Sequence, residues 1–264
     1  MATINATARV ADGARIGDGV EVGPYCLVGP DVELKDGVRL IAHVNVTSAT
    51  TIGEATVVYP FASLGTPPQS VHYHGEPNKL VIGARCELRE KVTMNIGTLA
   101  GGGVTRVGDR CIFMAASHVG HDCEVGDDVI LAEHVALGGH ASVGSKTFFG
   151  SNSAVHQFVR VGEGVMVGGV SGVADDVIPF GFARGRHATL DGLNFVGLRG
   201  RGVSREELHQ LRRAFRSLFL GDGEFGDRIE RVASTFADDP LVQKIVAFVR
   251  AGGKRALMHP RRRR

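Results

Sequence analysis

The sequence predicts an all-β parallel β-helix built of hexapeptide repeats, followed by a C-terminal α-helical domain. Three observations carry that prediction. An aliphatic or similarly apolar residue recurs at every sixth position through most of the chain. The 264 residues include 37 Gly and no Trp, with aromatics at 6%, a composition of short strands and tight turns rather than of a helical bundle. Past about residue 180 the period stops and a helix-start signal follows.

The period runs without a break from Ile4 through Val10, Ile16, Val22, Val28, Leu34, Leu40, Val46, Ile52 and Val58 to Leu64. It resumes at Ile82, Leu88 and Met94, and again from Val107 through Val125, Val143 and Val161 to Val173. A period of six matches neither the 3.6 of a helix nor the 2 of an ordinary strand unless each unit is a short strand plus a turn. Three units make one triangular coil, and coils stacked at about 4.8 Å pair each strand with those above and below. Gly often follows the apolar residue, which suits a turn that needs φ > 0 or a close backbone approach. Cys26, Cys86, Cys111 and Cys123 occupy equivalent repeat positions and contain no C-x-x-C pair, so they are expected in the core as structural thiols.

Two register breaks, at about 65–81 and 97–106, must leave the prism as loops because the phase recovers after each. The expected division is a β-helix over 1–180 and a helical domain with a basic tail over 181–264. Ser204-Arg205-Glu206-Glu207 opens the first tail helix as a capping box, and further amphipathic segments lie near 223–236 and 240–251. The terminal run from His259 to Arg264 is expected to fray. A formal charge of +2 gives no argument for nucleic acid, and no apolar stretch is long enough to span a membrane. A cytoplasmic location is expected from the lack of a signal pattern.

Coil arithmetic turns sequence distance into proximity, because residues 18 apart stack. His121, Gly139 and Gln157 form one column, Asp122 and His140 a second, and Gly120, Gly138 and His156 a third. Three histidines thereby converge on one edge over roughly 10 Å, with His118 on the preceding strand. A solvated turn carrying polar histidines is the plain alternative, but Asp122 beside His121 can orient an imidazole for general-base work.

At Ala116-Ser117-His118-Val119-Gly120-His121-Asp122-Cys123 the pattern becomes specific. With Gly138-Gly139-His140, Ala154-Val155-His156-Gln157-Phe158, Val165-Met166-Val167-Gly168-Gly169 and Ser171-Gly172-Val173, it resembles the UDP-N-acetylglucosamine acyltransferase family of the hexapeptide-repeat transferases. The resemblance runs from Ile4 into the helical tail. It implies a left-handed parallel β-helix, a homotrimer, and transfer of a 3-hydroxyacyl chain from acyl carrier protein to the sugar 3-hydroxyl of a UDP-amino-sugar. No cofactor or metal is implied, because the acyl group arrives as a phosphopantetheine thioester. On this resemblance His121 is the base, Asp122 its orienter and Gly139 the oxyanion donor. His72, His118, His140, His156 and Gln157 would bind substrate, Gly169 would set chain length, and His187, Asn194 and Arg201 would contact nucleotide or diphosphate. The carrier protein is acidic in that family, so a basic surface should receive it; Arg205, Arg212, Arg213 and Arg216 on the first tail helix are candidates, with a plainly solvated helix face as the alternative reading.

Three other assignments stay open on sequence. A γ-class carbonic anhydrase uses the same prism, but expects H-x4-H where this chain has His118-x2-His121. The sibling N-acyltransferases usually carry a domain before the prism and an Asn after the catalytic His, whereas here the repeat starts at Ile4 and Asp122 follows His121. A 3-amino acceptor fits the departures from the family pattern at Ser70, His72, Asn95-Ile96, Leu190-Asp191 and Gly200.

Overall fold

The computed structural model describes residues 1–261; Arg262, Arg263 and Arg264, the end of the basic run, lie outside the described residues. The repeat builds a left-handed parallel β-helix whose short strands form three sheets of 11, 9 and 8 strands among the described residues. The first sheet starts at Thr3–Ile4, the second at Arg9–Val10 and the third at Arg15–Ile16. Each coil bonds to the next through its backbone: the Gly120 N–H donates to the Leu137 carbonyl and the Gly138 N–H to that of Val155, each at 2.9 Å. The inward residues of successive coils, Val119, Leu137 and Val155, are buried, and the four thiols are buried beside such columns. Removing an aliphatic side chain of this kind from water is worth about 1.5–3 kcal/mol.

Where glycine follows the inward aliphatic of a regular coil, it serves close approach rather than positive φ. A Cβ on Gly23 would lie 1.8 Å from the Ile41 carbonyl oxygen of the next coil, whereas the left-handed conformation falls two residues later, on Tyr25 (φ 57°). The same offset places Asp122 (φ 59°) after Gly120 and Asp128 (φ 57°) after Gly126.

Both insertions leave from one corner, between the second and third sheets. Ile52 faces Ile82, 30 rather than 18 residues on, and Ile82 faces Val107, 25 residues on. The strands Lys79–Ile82 and Val104–Val107 start earlier than the register breaks suggest, so each loop is shorter than expected. Asn95 donates to Thr66 Oγ1 and the Pro67 carbonyl at 3.0 Å, clamping the root of the first loop.

Strand structure also outlasts the hexapeptide pattern. Gly181–Arg184 adds in parallel to the first sheet, and Thr189–Leu193 returns antiparallel to it, so the boundary expected at 180 falls one hairpin early. Helices follow: α1 (Phe195–Gly200), α2 (Arg205–Leu220), α3 (Phe225–Thr235) and α4 (Pro240–Arg250). The Ser204–Glu207 capping box is formed. The start of the terminal run is docked rather than frayed: the Leu190 N–H donates to the His259 carbonyl, and the His259 ring packs edge-on to Phe219 at 5.6 Å.

A buried ion pair within the prism carries one contact to the helices, beside the Lys244–Glu163 pair that runs from α4 to the prism at 2.6 Å. The Asp176 side chain is 1% exposed and accepts from the Arg160 N–H at 2.8 Å and from Arg160 Nε at 2.7 Å. The Arg160 guanidinium lies 4.3 Å from the Phe248 ring centroid of α4. Removing one partner of such a pair strands the other. Asp176→Ala should therefore destabilise the protein by about 3 kcal/mol, read as a lower urea midpoint. An unchanged midpoint would show that the junction is held by apolar packing alone.

Candidate active site

The turn between strands His118–Val119 and Glu124–Val125 carries the candidate base. The positive φ of Asp122 turns its side chain onto the corner, and its own N–H donates to Thr105 Oγ1 at 2.8 Å. The carboxylate is almost closed off from solvent, with its side chain 1% exposed. Burial of that kind is tolerable only with donors on the oxygens. Oδ1 accepts the Thr98 N–H at 2.7 Å; Oδ2 accepts the Thr98 hydroxyl at 2.6 Å and His121 Nδ1 at 2.8 Å. Thr98 belongs to the second insertion, which closes directly onto the acid. A Cβ on Gly101 would lie 2.0 Å from Asp122 Cγ, so only glycine lets this loop sit there.

Because a carboxylate only accepts, His121 carries its proton on Nδ1 and presents a lone pair on Nε2. Gly139 lies directly above: a Cβ there would come within 2.6 Å of the His121 ring. The N–H groups of Gly138 and His140 are spent on carbonyls of other coils, while among the described residues no carbonyl accepts from the Gly139 N–H. A base nitrogen and a free backbone donor thus sit side by side.

The neighbouring imidazoles differ in their surroundings. His118 Nδ1 lies 2.8 Å from Thr93 Oγ1, and burial holds its pKa below the usual histidine value, reinforced by His121. His140 stacks on Phe158 at 4.4 Å with Nε2 3.6 Å from Asp122 Oδ2. Burial lowers its pKa as well, outweighing the pull of Asp122. His156 and Gln157 are exposed one coil higher, where the Arg255 guanidinium meets both.

The remaining expected site residues stand elsewhere in the single chain. His72 is in the first insertion, which leaves from the corner that carries His121, with its N–H 3.3 Å from Ser70 Oγ. Gly169 is on the corner between the first and second sheets. His187 is exposed in the hairpin turn before Thr189–Leu193. Asn194 caps α1, accepting the Gly197 N–H at 2.9 Å and donating to the Gly164 carbonyl at 3.0 Å, which commits its amide to the fold. Arg201 lies against Gly164 and donates to the Lys146 carbonyl at 3.4 Å, on the third corner. Thr98, Thr105, Phe158 and Arg255 were absent from the expected set.

His121, Asp122 and His140 hold potential ligand atoms within 4.8 Å of one another. The donor set does not fit a metal. Both Asp122 oxygens already accept protons, and His121 Nδ1 faces the carboxylate rather than a shared centre.

His118 and His140 supply a pH prediction. A histidine whose folded pKa lies below its unfolded value binds fewer protons folded than unfolded, so stability falls as pH drops below about 6.5. The urea midpoint should fall between pH 7.5 and pH 5.5, and His118→Gln should reduce that fall. An identical pH response in the variant would remove His118 from the account.

Comparison with known proteins agrees with this architecture. The family described as "Udp N-acetylglucosamine O-acyltransferase; Domain 2" matches residues 176–258, and "Bacterial transferase hexapeptide (six repeats)" matches 105–139. The acyl-[acyl-carrier-protein]–UDP-N-acetylglucosamine O-acyltransferase of Azorhizobium caulinodans is 60% identical over 262 residues, covering 99% of this chain and 97% of that one. Its namesake from Rhizobium etli is 47% identical over 261 residues, covering 99% and 96%. The crystal structure of UDP-N-acetylglucosamine O-acyltransferase from Moraxella catarrhalis superimposes with a TM-score of 0.94 at 35% identity, covering 97% of this chain and 99% of that one. With identity of that level along the whole chain, on a fold that superimposes end to end, the chain belongs to the acyl-[acyl-carrier-protein]–UDP-N-acetylglucosamine O-acyltransferase family.

Proposed function

We propose that this chain transfers a 3-hydroxyacyl group from acyl carrier protein to the 3-hydroxyl of UDP-N-acetylglucosamine, the first step of lipid A biosynthesis, with His121 as general base. The observation that carries the base assignment is the 2.8 Å His121–Asp122 bond, which leaves Nε2 as acceptor beside the unspent Gly139 N–H. His121 Nε2 takes the hydroxyl proton as the sugar oxygen attacks the thioester carbonyl. The carbonyl electrons move onto oxygen, where the Gly139 N–H donates to the oxyanion. Collapse forms the ester, breaks the carbon–sulfur bond and releases the pantetheine thiolate, which recovers the proton from His121. Asp122 stabilises the imidazolium in between. The thioester is already activated, so no acyl-enzyme and no cofactor enter. Cys123, the thiol nearest in sequence, is buried, and its pKa is pushed up to about 12.

A homotrimer fits the three faces. The outer face of the third sheet carries paired charges such as Arg15 with Glu33 and Arg106 with Glu124, suited to water. The first sheet presents Ile112, Ile130, Phe148, Met166 and Phe182 in one outward row, and the second presents the small Ala136, Ala154 and Gly172. Two unlike packing faces on one chain favour a closed heterologous ring over a two-fold dimer. A prism corner is convex, so a neighbour would supply the opposite wall of the site. That neighbour is also what would bring Gly169, His187 and Arg201 toward a catalytic edge. For carrier-protein docking, the exposed Arg205 and the cleft lined by Phe195, Arg199, His209 and Arg212 offer a cationic surface. Four free cysteines suit the reducing cytoplasm.

Transfer of a 3-hydroxymyristoyl group to UDP-N-acetylglucosamine tests the reaction. His121→Ala should lower kcat at least about 100-fold. Thr98→Val should lower kcat by roughly tenfold while Thr98→Ser restores it, because the hydroxyl holds the carboxylate that holds the base. No transfer to this acceptor or to its 3-amino analogue would sink the reading, and transfer to the analogue alone would reassign it as N-acylation. Phe148→Glu should shift the native mass from three chains toward one; a trimer that persists would place the interface elsewhere.

A further inference from the structure

Past α4 the chain turns back and crosses the top of the catalytic corner. It is pinned there on both sides of Asp176: the Asp176 N–H donates to the Ala256 carbonyl and the Met258 N–H to the Asp176 carbonyl, each at 2.8 Å. Met258 is buried at 2% exposure, which anchors the strap independently of its charged residues. The pinning brings Lys254 and Arg255 down beside the last histidine of the edge. The Lys254 ammonium lies 4.3 Å from the Phe158 ring centroid. Arg255 Nε donates to the Gln157 carbonyl at 2.8 Å, and Arg255 Nη2 is within hydrogen-bonding distance of His156 Nδ1.

A guanidinium carries only donors and stays protonated, so the nitrogen facing it must offer a lone pair. The same Nδ1 lies 3.3 Å from the Gln157 carbonyl, a contact that by itself would favour the opposite tautomer. That carbonyl is already engaged by Arg255 Nε at the shorter distance of 2.8 Å, so both prongs of the fork act in one sense. We propose that Arg255 is a positioning residue that locks His156 in its Nε2–H tautomer, making His156 a hydrogen-bond donor to a substrate oxygen and barring it from acting as a second base through Nε2. The consequence for substrate rests on the acyl-transfer reading; the tautomer does not.

The test is a multiple-bond 1H–15N spectrum of the intact protein labelled with [15N]histidine, taken above the usual histidine pKa, with His156→Gln identifying the signals. In the wild type Nε2 carries the proton and Nδ1 does not; in Arg255→Leu the two tautomers mix. The same variant raises KM for one substrate by roughly tenfold, the worth of one hydrogen bond, while kcat changes less than about twofold. Arg255→Lys keeps the charge but cannot span both acceptors, and restores the tautomer only in part. A wild-type His156 protonated on Nδ1, or a tautomer that Arg255→Leu leaves unchanged, overturns the proposal. If the leucine variant fails to fold, Arg255→Lys supplies the comparison: a partial shift of the tautomer supports the proposal and an unshifted one overturns it, whether or not the protein transfers acyl groups.

Discussion

The vertical register of the coils is the constraint on which everything at the site depends. Each strand is too short to be stable by itself, and holds only because its N–H groups meet carbonyls of the next coil, 17 residues on in the regular coils, at 2.7–3.1 Å. A slip of one residue would invert every side chain along a strand, exchanging the buried aliphatics for charges. The core therefore enforces the register, and the register puts His121 under Gly139 and Asp122 under His140. The geometry of the candidate site comes as a by-product of core packing, which is why a rigid prism edge can align these side chains without a deep pocket in the chain itself.

At that edge Asp122 sets the orientation of the His121 imidazole. Burying a carboxylate this deeply is costly unless donors meet its oxygens, and the second insertion brings two of them in Thr98. Those donors leave one strong acceptor direction on Oδ2 for His121, so the loop selects the imidazole tautomer without touching the imidazole. The extra seven residues by which this coil exceeds 18 thus have a purpose that the repeat could not supply. Asn95 has a comparable role below it, tying down the first insertion.

Legibility in the sequence followed the period. The column assignments of His121, Asp122, Gly139, His140, His156 and Gln157 were readable because stacking in a solenoid is arithmetic. Thr98 was not, since it sits where the period is broken and no count relates it to Asp122. Arg255 was hidden for a different reason: 98 residues separate it from Gln157, and only the fold of three helices decides where the strap lands. Asn194 and Arg201 entered by family pattern alone, and in the chain they stand at the third corner, Asn194 as a helix cap. The glycines were readable in position but not in purpose, because a turn's positive φ and its close approach fall two residues apart.

The three imidazoles stacked on the edge show why residue type is a poor guide to role. His121 faces a carboxylate, which fixes the proton on Nδ1 and leaves Nε2 as an acceptor, the polarity that the proposed base requires. His140 is sandwiched against Phe158 and held neutral by burial despite the nearby acid, so it can line the site without adding charge. His156 faces a guanidinium, whose donor character demands the reverse polarity at Nδ1. One side chain in three columns of one corner is placed as an acceptor at His121, a stacked wall at His140 and, on the proposed tautomer, a donor at His156, according to whether its neighbour accepts, stacks or donates. The prism supplies equivalent positions, and the parts of the chain outside the repeat, the Thr98 loop and the Arg255 strap, make them inequivalent.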